Sequence, residues 1–300
     1  MSTTVAGPPV RQDSAEAGQT QTQLHKIIMS TRDLPAMPEV ASKVLELSSD
    51  PNTSAMQLQQ VISDDQAMTA RILKIANSAM YSCSRKIKTL TEAIVMLGFN
   101  SIRSLVVTSA ARNLYNTRNS RSGLKERLLW EHSIGAGFAC RILAQKRSPA
   151  LVEEAFLAGL MHDIGKLVLN LRTPERFDEI VQIVYNENQA FHETEQRSLG
   201  FSHAEVGALL INKWKLSPVL EDIIRNHHNP EALSPDNQLL LYLDLSNRIC
   251  RRMGIGFIDE PETDLVQCPA NQLLGFTQET FDETTVLLQE TLANEMEIFV

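Results

Sequence analysis

The sequence predicts an all-α fold, and three observations carry that reading. Apolar residues recur at helical spacing from Leu24 onward, as in Val40, Val44, Leu45 and Leu47, and again in Met68, Ile72, Leu73, Ile75 and Ala76. Strand-like alternation is scarce throughout. Helix punctuation is frequent: Pro38 suits a first helical turn, Ser54 and Thr91 suit N-caps, and Pro174, Pro218 and Pro230 stand at expected boundaries.

In chain order, residues 1–22 are rich in Ser, Thr, Gln, Ala and Gly, with no aromatic residue, and are expected to be a flexible tail, because so little apolar surface cannot offset the entropy of ordering. A first helical block follows over 24–120, in which Asn77 reads as a helix C-terminus or turn and Gly98 as a break between two apolar helices. The polar, basic stretch 115–127, with Arg118, Arg121, Lys125 and Arg127, is the expected boundary to a second block over 125–255. Residues 256–300 then form a loop and a last helix, with a predicted apolar stripe at Phe281, Val286, Leu287 and Leu288.

At 300 residues and 43% hydrophobic, the chain can bury a sizeable core. No run of about 18 apolar residues occurs and no signal peptide is evident, so the expectation is a cytoplasmic protein without membrane association. The four cysteines, Cys83, Cys140, Cys250 and Cys268, are far apart and read as buried thiols rather than a zinc ribbon or disulfide framework. A net charge of −8 opposes general attraction to nucleic acid, so direct nucleic-acid binding is not expected.

Six of the seven histidines lie between positions 132 and 228, and His162 is followed at once by Asp163 in LAGLMHDIGKLVL. Neighbouring helical side chains diverge by about 100°, so this pair can share one ion only near a helix end. Further candidate ligands are His132, His203, His227, His228 and Asp244. Imidazole nitrogen combined with carboxylate oxygen suits a transition metal, with iron, manganese and zinc among the candidates, rather than magnesium or calcium. Of the neighbours, Trp130 reads as a core anchor and Glu131 as a carboxylate able to orient an imidazole, whereas His192 in QAFHETEQ reads as an exposed helical residue.

The order of a histidine, a His-Asp pair and a distant aspartate resembles the HD superfamily of metal-dependent phosphohydrolases. The blocks DLPAMPEVASKVLELSSD, VISDDQAMTARILKIANSAMY and IKTLTEAIVMLGFNSIRSLVV, followed by FLAGLMHDIGKLVL and LGFSHAEVGALLINKWKLSP, sharpen this to a resemblance to the HDOD family, HD-related output domains of bacterial signalling proteins, over roughly residues 24–255. The resemblance implies an HD-type helical core preceded by a smaller helical subdomain. It also implies a metal centre at His132, His162, Asp163 and Asp244, with Asp163 able to bridge to a second ion. His203, His227 and His228 resemble the additional histidines of the HD-GYP phosphodiesterases, and Lys166 resembles a lysine that meets substrate phosphate there, although the GYP tripeptide is absent after HHN. Arg225, Arg248 and Arg251 are further cations available to an anion.

Two functions follow as expectations. The first is a regulatory module acting through contacts with a signalling protein in trans, with one or two metal ions, iron or manganese ahead of zinc. The second is a metal-dependent phosphohydrolase acting on a nucleotide or cyclic dinucleotide, with Asp163 as bridging ligand and Lys166 near the phosphate.

Overall fold

The computed structural model describes residues 34–78, 80–81, 85–115, 123–187 and 189–299. The expected tail over 1–22, Cys83, and most of the expected boundary at 115–127 lie outside the described residues. Among those described, the regular structure is helical throughout, with no strand.

Four helices open the described residues: α1 (Glu39–Ser49), α2 (Ala55–Ser63), α3 (Gln66–Ala76) and α4 (Leu90–Tyr115). Each forms where apolar residues repeat; α2, α3 and α4 begin behind a polar cap, whereas α1 follows Pro38 without a capping side chain. Ser54 and Gln57 make a reciprocal capping box at the start of α2, and Asp65 accepts from the Met68 amide at 2.9 Å to start α3. The cap of α4 is not Thr91. Thr89 accepts from the Glu92 amide at 3.1 Å while Glu92 accepts from the amide of Lys88 at 2.7 Å, which starts the helix two residues earlier. Asn77 ends α3 and also pins the following loop, because its side chain exchanges hydrogen bonds with the Ile87 backbone at 2.7 and 2.8 Å. Gly98, at φ 79°, kinks α4, and only glycine adopts that angle without strain. By length and composition α4 could cross a membrane, but the part beyond the kink is largely buried against the rest of the protein.

The remaining helices build the half that holds the histidines: α5 (Gly123–Arg147), α6 (Val152–Met161), α7 (Ile164–Arg172), α8 (Pro174–Glu187), α9 (Phe191–Leu199), α10 (His203–Lys213), α11 (Pro218–Asn226) and α12 (Gln238–Arg252). After a loop come α13 (Pro269–Leu274) and α14 (Gln278–Phe299). Buried apolar side chains from Leu34 to Leu288 form one continuous cluster.

Two glycines set the spacing at the centre. A Cβ on Gly159 of α6 would lie 2.4 Å from the Ala136 carbonyl oxygen of α5, and one on Gly165 of α7 would lie 1.9 Å from the His203 carbonyl oxygen of α10. The backbones touch there, so α5 and α10 are drawn against the segment that carries His162 and Asp163.

The C-terminal stripe differs from the expected one. Phe281, Thr284 and Leu288 are fully buried, whereas Val286 and Leu287 are exposed, because the 3.6-residue period returns to the core face at steps of three, four and seven.

Candidate metal centre

His162 and Asp163 fall at the break between α6 and α7: His162 caps the end of one helix and Asp163 the start of the next. Freed from a common helical register, both side chains turn into one buried space. His132 enters it from α5, His203 from the first position of α10, and His227 and His228 from the end of α11. The structure thus brings together His132, His162, Asp163, His203, His227 and His228.

Asp163 stands at the middle. Its Oδ1 lies 3.1 Å from His203 Nε2 and 3.8 Å from His227 Nε2. Its Oδ2 lies 3.4 Å from His162 Nε2, 3.6 Å from His132 Nε2 and 2.7 Å from Lys166 Nζ. His203 Nε2 is 3.3 Å from His227 Nε2 and 2.9 Å from His228 Nε2. Two donor groups result, Asp163–His203–His227–His228 and His132–His162–Asp163, each with its ligand atoms within 4.8 Å of one another.

The opposite ring edges fix which atoms face inward. His132, His162 and His227 each donate Nδ1–H to a backbone carbonyl, of Ile255, Gly159 and Ile224 at 2.9, 2.7 and 2.7 Å. His203 donates Nδ1–H to Glu195 Oε2 at 2.5 Å, and the same oxygen accepts from the His203 backbone amide at 2.7 Å. A carbonyl or carboxylate can only accept, so in the neutral rings each Nε2 carries a lone pair aimed at the carboxylate. Burial pushes His132 down to about 4 and His227 down to about 3, and holds His228 well below its ordinary value. His203 is raised: burial lowers it, but the charge and hydrogen bond of Glu195 and the nearness of the Asp163 carboxylate outweigh that. Burial also opposes the charge on Asp163, yet His162 and Lys166 hold its carboxyl well below the usual range.

This donor set fits a transition-metal ion. Asp163 Oδ1 and His162 Nε2 are buried and make no aligned hydrogen bond, and several lone pairs converge around them. A cation of mixed nitrogen and oxygen preference satisfies the lone pairs of whichever donor group it enters.

Other sequence expectations resolve differently. Asp244 stands outside both donor groups and is committed to Arg248, which donates to its two oxygens at 2.7 and 3.3 Å. The α12 residues that instead line a small void of about 20 Å³ with His132, Asp163 and Lys166 are Asn247, one turn further along, and Arg251. Glu131 orients no imidazole; its partner is Arg127, 3.4 Å away on the same helix. The orienting carboxylate is Glu195, which nothing in the sequence singles out, because the α9–α10 turn that brings it to His203 has no spacing signature. His192 is half-buried rather than exposed, and its ring stacks on His228 with centroids 4.2 Å apart and planes 10° apart. Both rings border a cleft of about 300 Å³ also lined by His227, Arg248 and Arg251. Arg225 pairs with Glu221 at 2.8 Å. Trp130 is a core anchor, 5% exposed and packed on the Tyr115 ring.

Comparison with known proteins identifies the family and the fold. The model of the HDOD domain family matches residues 34–230. An HDOD domain protein of unknown function from Geobacter sulfurreducens superposes with a TM-score of 0.73 at 27% identity, covering 94% of this chain and 97% of that one. A candidate phosphohydrolase from Shewanella amazonensis SB2B gives a TM-score of 0.72 at 25% identity, covering 92% and 98%. Among curated sequences, an uncharacterized protein of Treponema pallidum is 28% identical over 92% of this chain and 53% of its own length. Ribonuclease Y of Geobacter metallireducens is 27% identical over 58% of this chain and 27% of its own length. The chain therefore spans about half of the first relative and about a quarter of the second.

Proposed function

The chain belongs to the HDOD family, and from that premise we propose that it is a metal-dependent phosphohydrolase whose centre is the histidine cluster around Asp163. The observation that carries this reading is the convergence of imidazole Nε2 atoms on one buried carboxylate, each ring held from behind by an acceptor. Residues that served only packing would not need that arrangement, which stacks electron pairs against one another in a low-dielectric interior.

Asp163, His203, His227 and His228 would hold an ion, with His132 and His162 on the other side of the carboxylate. A bound transition metal supplies Lewis acidity toward a phosphoryl oxygen and lowers the pKa of water. The protein's own residues do the rest. Glu195 keeps the His203 proton on Nδ1 and its Nε2 turned inward. The cleft beside His227 and His228 has room for a phosphoester. Arg248 is already engaged by Asp244, but Arg251 reaches its partner Glu260 only at 3.8 Å, which leaves its guanidinium free to turn toward a substrate phosphate. Lys166 is bound to Asp163, so its contribution is to the carboxylate first and to substrate only if that pair opens. The names of the Shewanella neighbour and of ribonuclease Y support phosphoester hydrolysis as the reaction class, and the substrate class we propose is a nucleotide or cyclic dinucleotide.

A second reading, regulation through contact with a signalling protein in trans, is favoured by one feature. An apolar hollow of about 330 Å³ lies between α4 and α11, with Leu157, Val219 and Leu220 on its walls and Val219 58% exposed.

The deciding experiment is elemental analysis of the full chain beside Asp163→Ala, followed by a screen of nucleotides and cyclic dinucleotides on the manganese- or iron-loaded protein. Bound metal and turnover that both vanish in the variant are expected. Turnover that survives in Asp163→Ala would sink the mechanism, and metal without turnover on any phosphoester would favour the regulatory reading.

A further inference from the structure

The two oxygens of Asp163 face different chemistry. Oδ1 looks onto His203, His227 and His228 and makes no aligned hydrogen bond. Oδ2 already accepts from Lys166 Nζ at 2.7 Å. Lys166 is itself buried, 8% exposed, and its ammonium rests 4.5 Å from the centre of the Phe191 ring. That ring and the carboxylate hold the charge in place from two sides.

The same side of the carboxylate is also short of negative charge. The α12 residues lining the void with His132, Asp163 and Lys166 are Asn247, a neutral amide, and Arg251, a second cation, while the acidic Asp244 of that helix is turned to Arg248. One side of Asp163 thus offers a free carboxylate oxygen with three imidazoles. The other offers two imidazoles and an oxygen already neutralised by a fixed ammonium. A divalent ion entering the second half would sit beside that ammonium in a buried space, where like charges repel strongly. The void there has about the volume of a single water, so there is little room for the lysine to withdraw within it.

We propose that the centre holds one ion, in the set Asp163–His203–His227–His228, and that Lys166 and Asn247 keep the His132–His162 half from taking a second. Lys166 acts as the built-in cation of that half. This inference rests on the metal-binding reading above, and it narrows the one or two ions expected from sequence to a single resident ion with a named location.

The test is titration of the metal-stripped full chain with Mn²⁺ alone, read by calorimetry and by elemental analysis after gel filtration. One ion per chain is expected for the wild type. His228→Ala should lose that ion, whereas His132→Ala should retain it with less than a threefold change in affinity. Asn247→Asp, a near-isosteric change, and Asn247→Asp combined with Lys166→Met should admit a second ion, the double variant at least tenfold more tightly than the single one. Circular dichroism on each variant separates loss of a ligand from loss of fold. Two ions of similar affinity in the wild type, or loss of all binding in His132→Ala with the fold intact, would overturn the inference and leave the metal-dependent reading standing. No ion bound to the wild type at all would overturn both.

Discussion

At the scale of single residues, the site is organised by what stands behind the imidazoles. Three of the inward-facing rings lean on backbone carbonyls, which no side-chain substitution removes, but His203 leans on Glu195, a side chain with no exposure to solvent. Glu195→Gln keeps the shape and an acceptor oxygen while removing the charge that raises the His203 pKa. The expected result is a loss of about 10- to 100-fold in Mn²⁺ affinity, with thermal stability falling far less than for Glu195→Ala; unchanged affinity would show that the carboxylate only packs. Much of this site was legible in the sequence. The adjacent His162 and Asp163 could share a space only at a helix end, and they sit at one. What could not be read was the partnership of residues whose positions depend on tertiary turns. Glu195 and His192 lie in a polar nine-residue helix, and nothing in its pattern tells which side chains will meet His203 and His228. Asp244 is the distant aspartate that the family resemblance points to, but a helix turn away Asn247 has the position beside His132, and sequence chemistry alone favours the acid over the amide.

At the scale of elements, helix existence followed from period and punctuation, while orientation followed from which apolar residues found a neighbour. The last helix shows the difference. Phe281, Thr284 and Leu288 pack inward, Lys146 of α5 reaches Glu283 at 2.6 Å, and Leu287 is left 46% exposed beside them. All of Phe281, Leu287 and Leu288 look alike to a hydrophobicity pattern, because the face is decided by where α5 lies. The consequence can be measured. Phe281→Ala removes a fully buried ring and should cost about 3–5 kcal/mol, whereas Leu287→Ala should fall within about 0.5 kcal/mol of wild type. Urea denaturation of the two variants checks this, and equal effects would mean that α14 does not dock as described.

At the scale of the whole molecule, the fold must hold several neutral imidazoles in one core, and that makes its stability depend on pH in a particular window. His132 titrates at about 4 and His227 at about 3 in the folded chain, against about 6.5 when unfolded, because burial disfavours their charged forms. A depressed histidine takes up its proton in the unfolded state first. Its contribution to stability is therefore whole above about pH 6.5 and is lost as pH falls, by about 1.4 kcal/mol per unit for each group. His203 has the opposite shift, so what it adds is already present below its unfolded value and contributes no slope in that window. Asp163, held well below its ordinary value, loses its contribution only under more acid conditions. Between pH 6.5 and 5 the imidazoles thus act alone: His132 and His227 together should remove on the order of 4 kcal/mol from the metal-free protein, and His228, also depressed, adds to the fall in the same direction. Denaturant midpoints of the chelator-treated chain at pH 7 and pH 5 measure this directly. Manganese should steepen the dependence, since protons and metal compete for the same Nε2 lone pairs. A metal-free midpoint that does not fall toward pH 5 would mean that these rings are not buried in their neutral form, and the argument for a cluster of inward lone pairs would lose its physical basis.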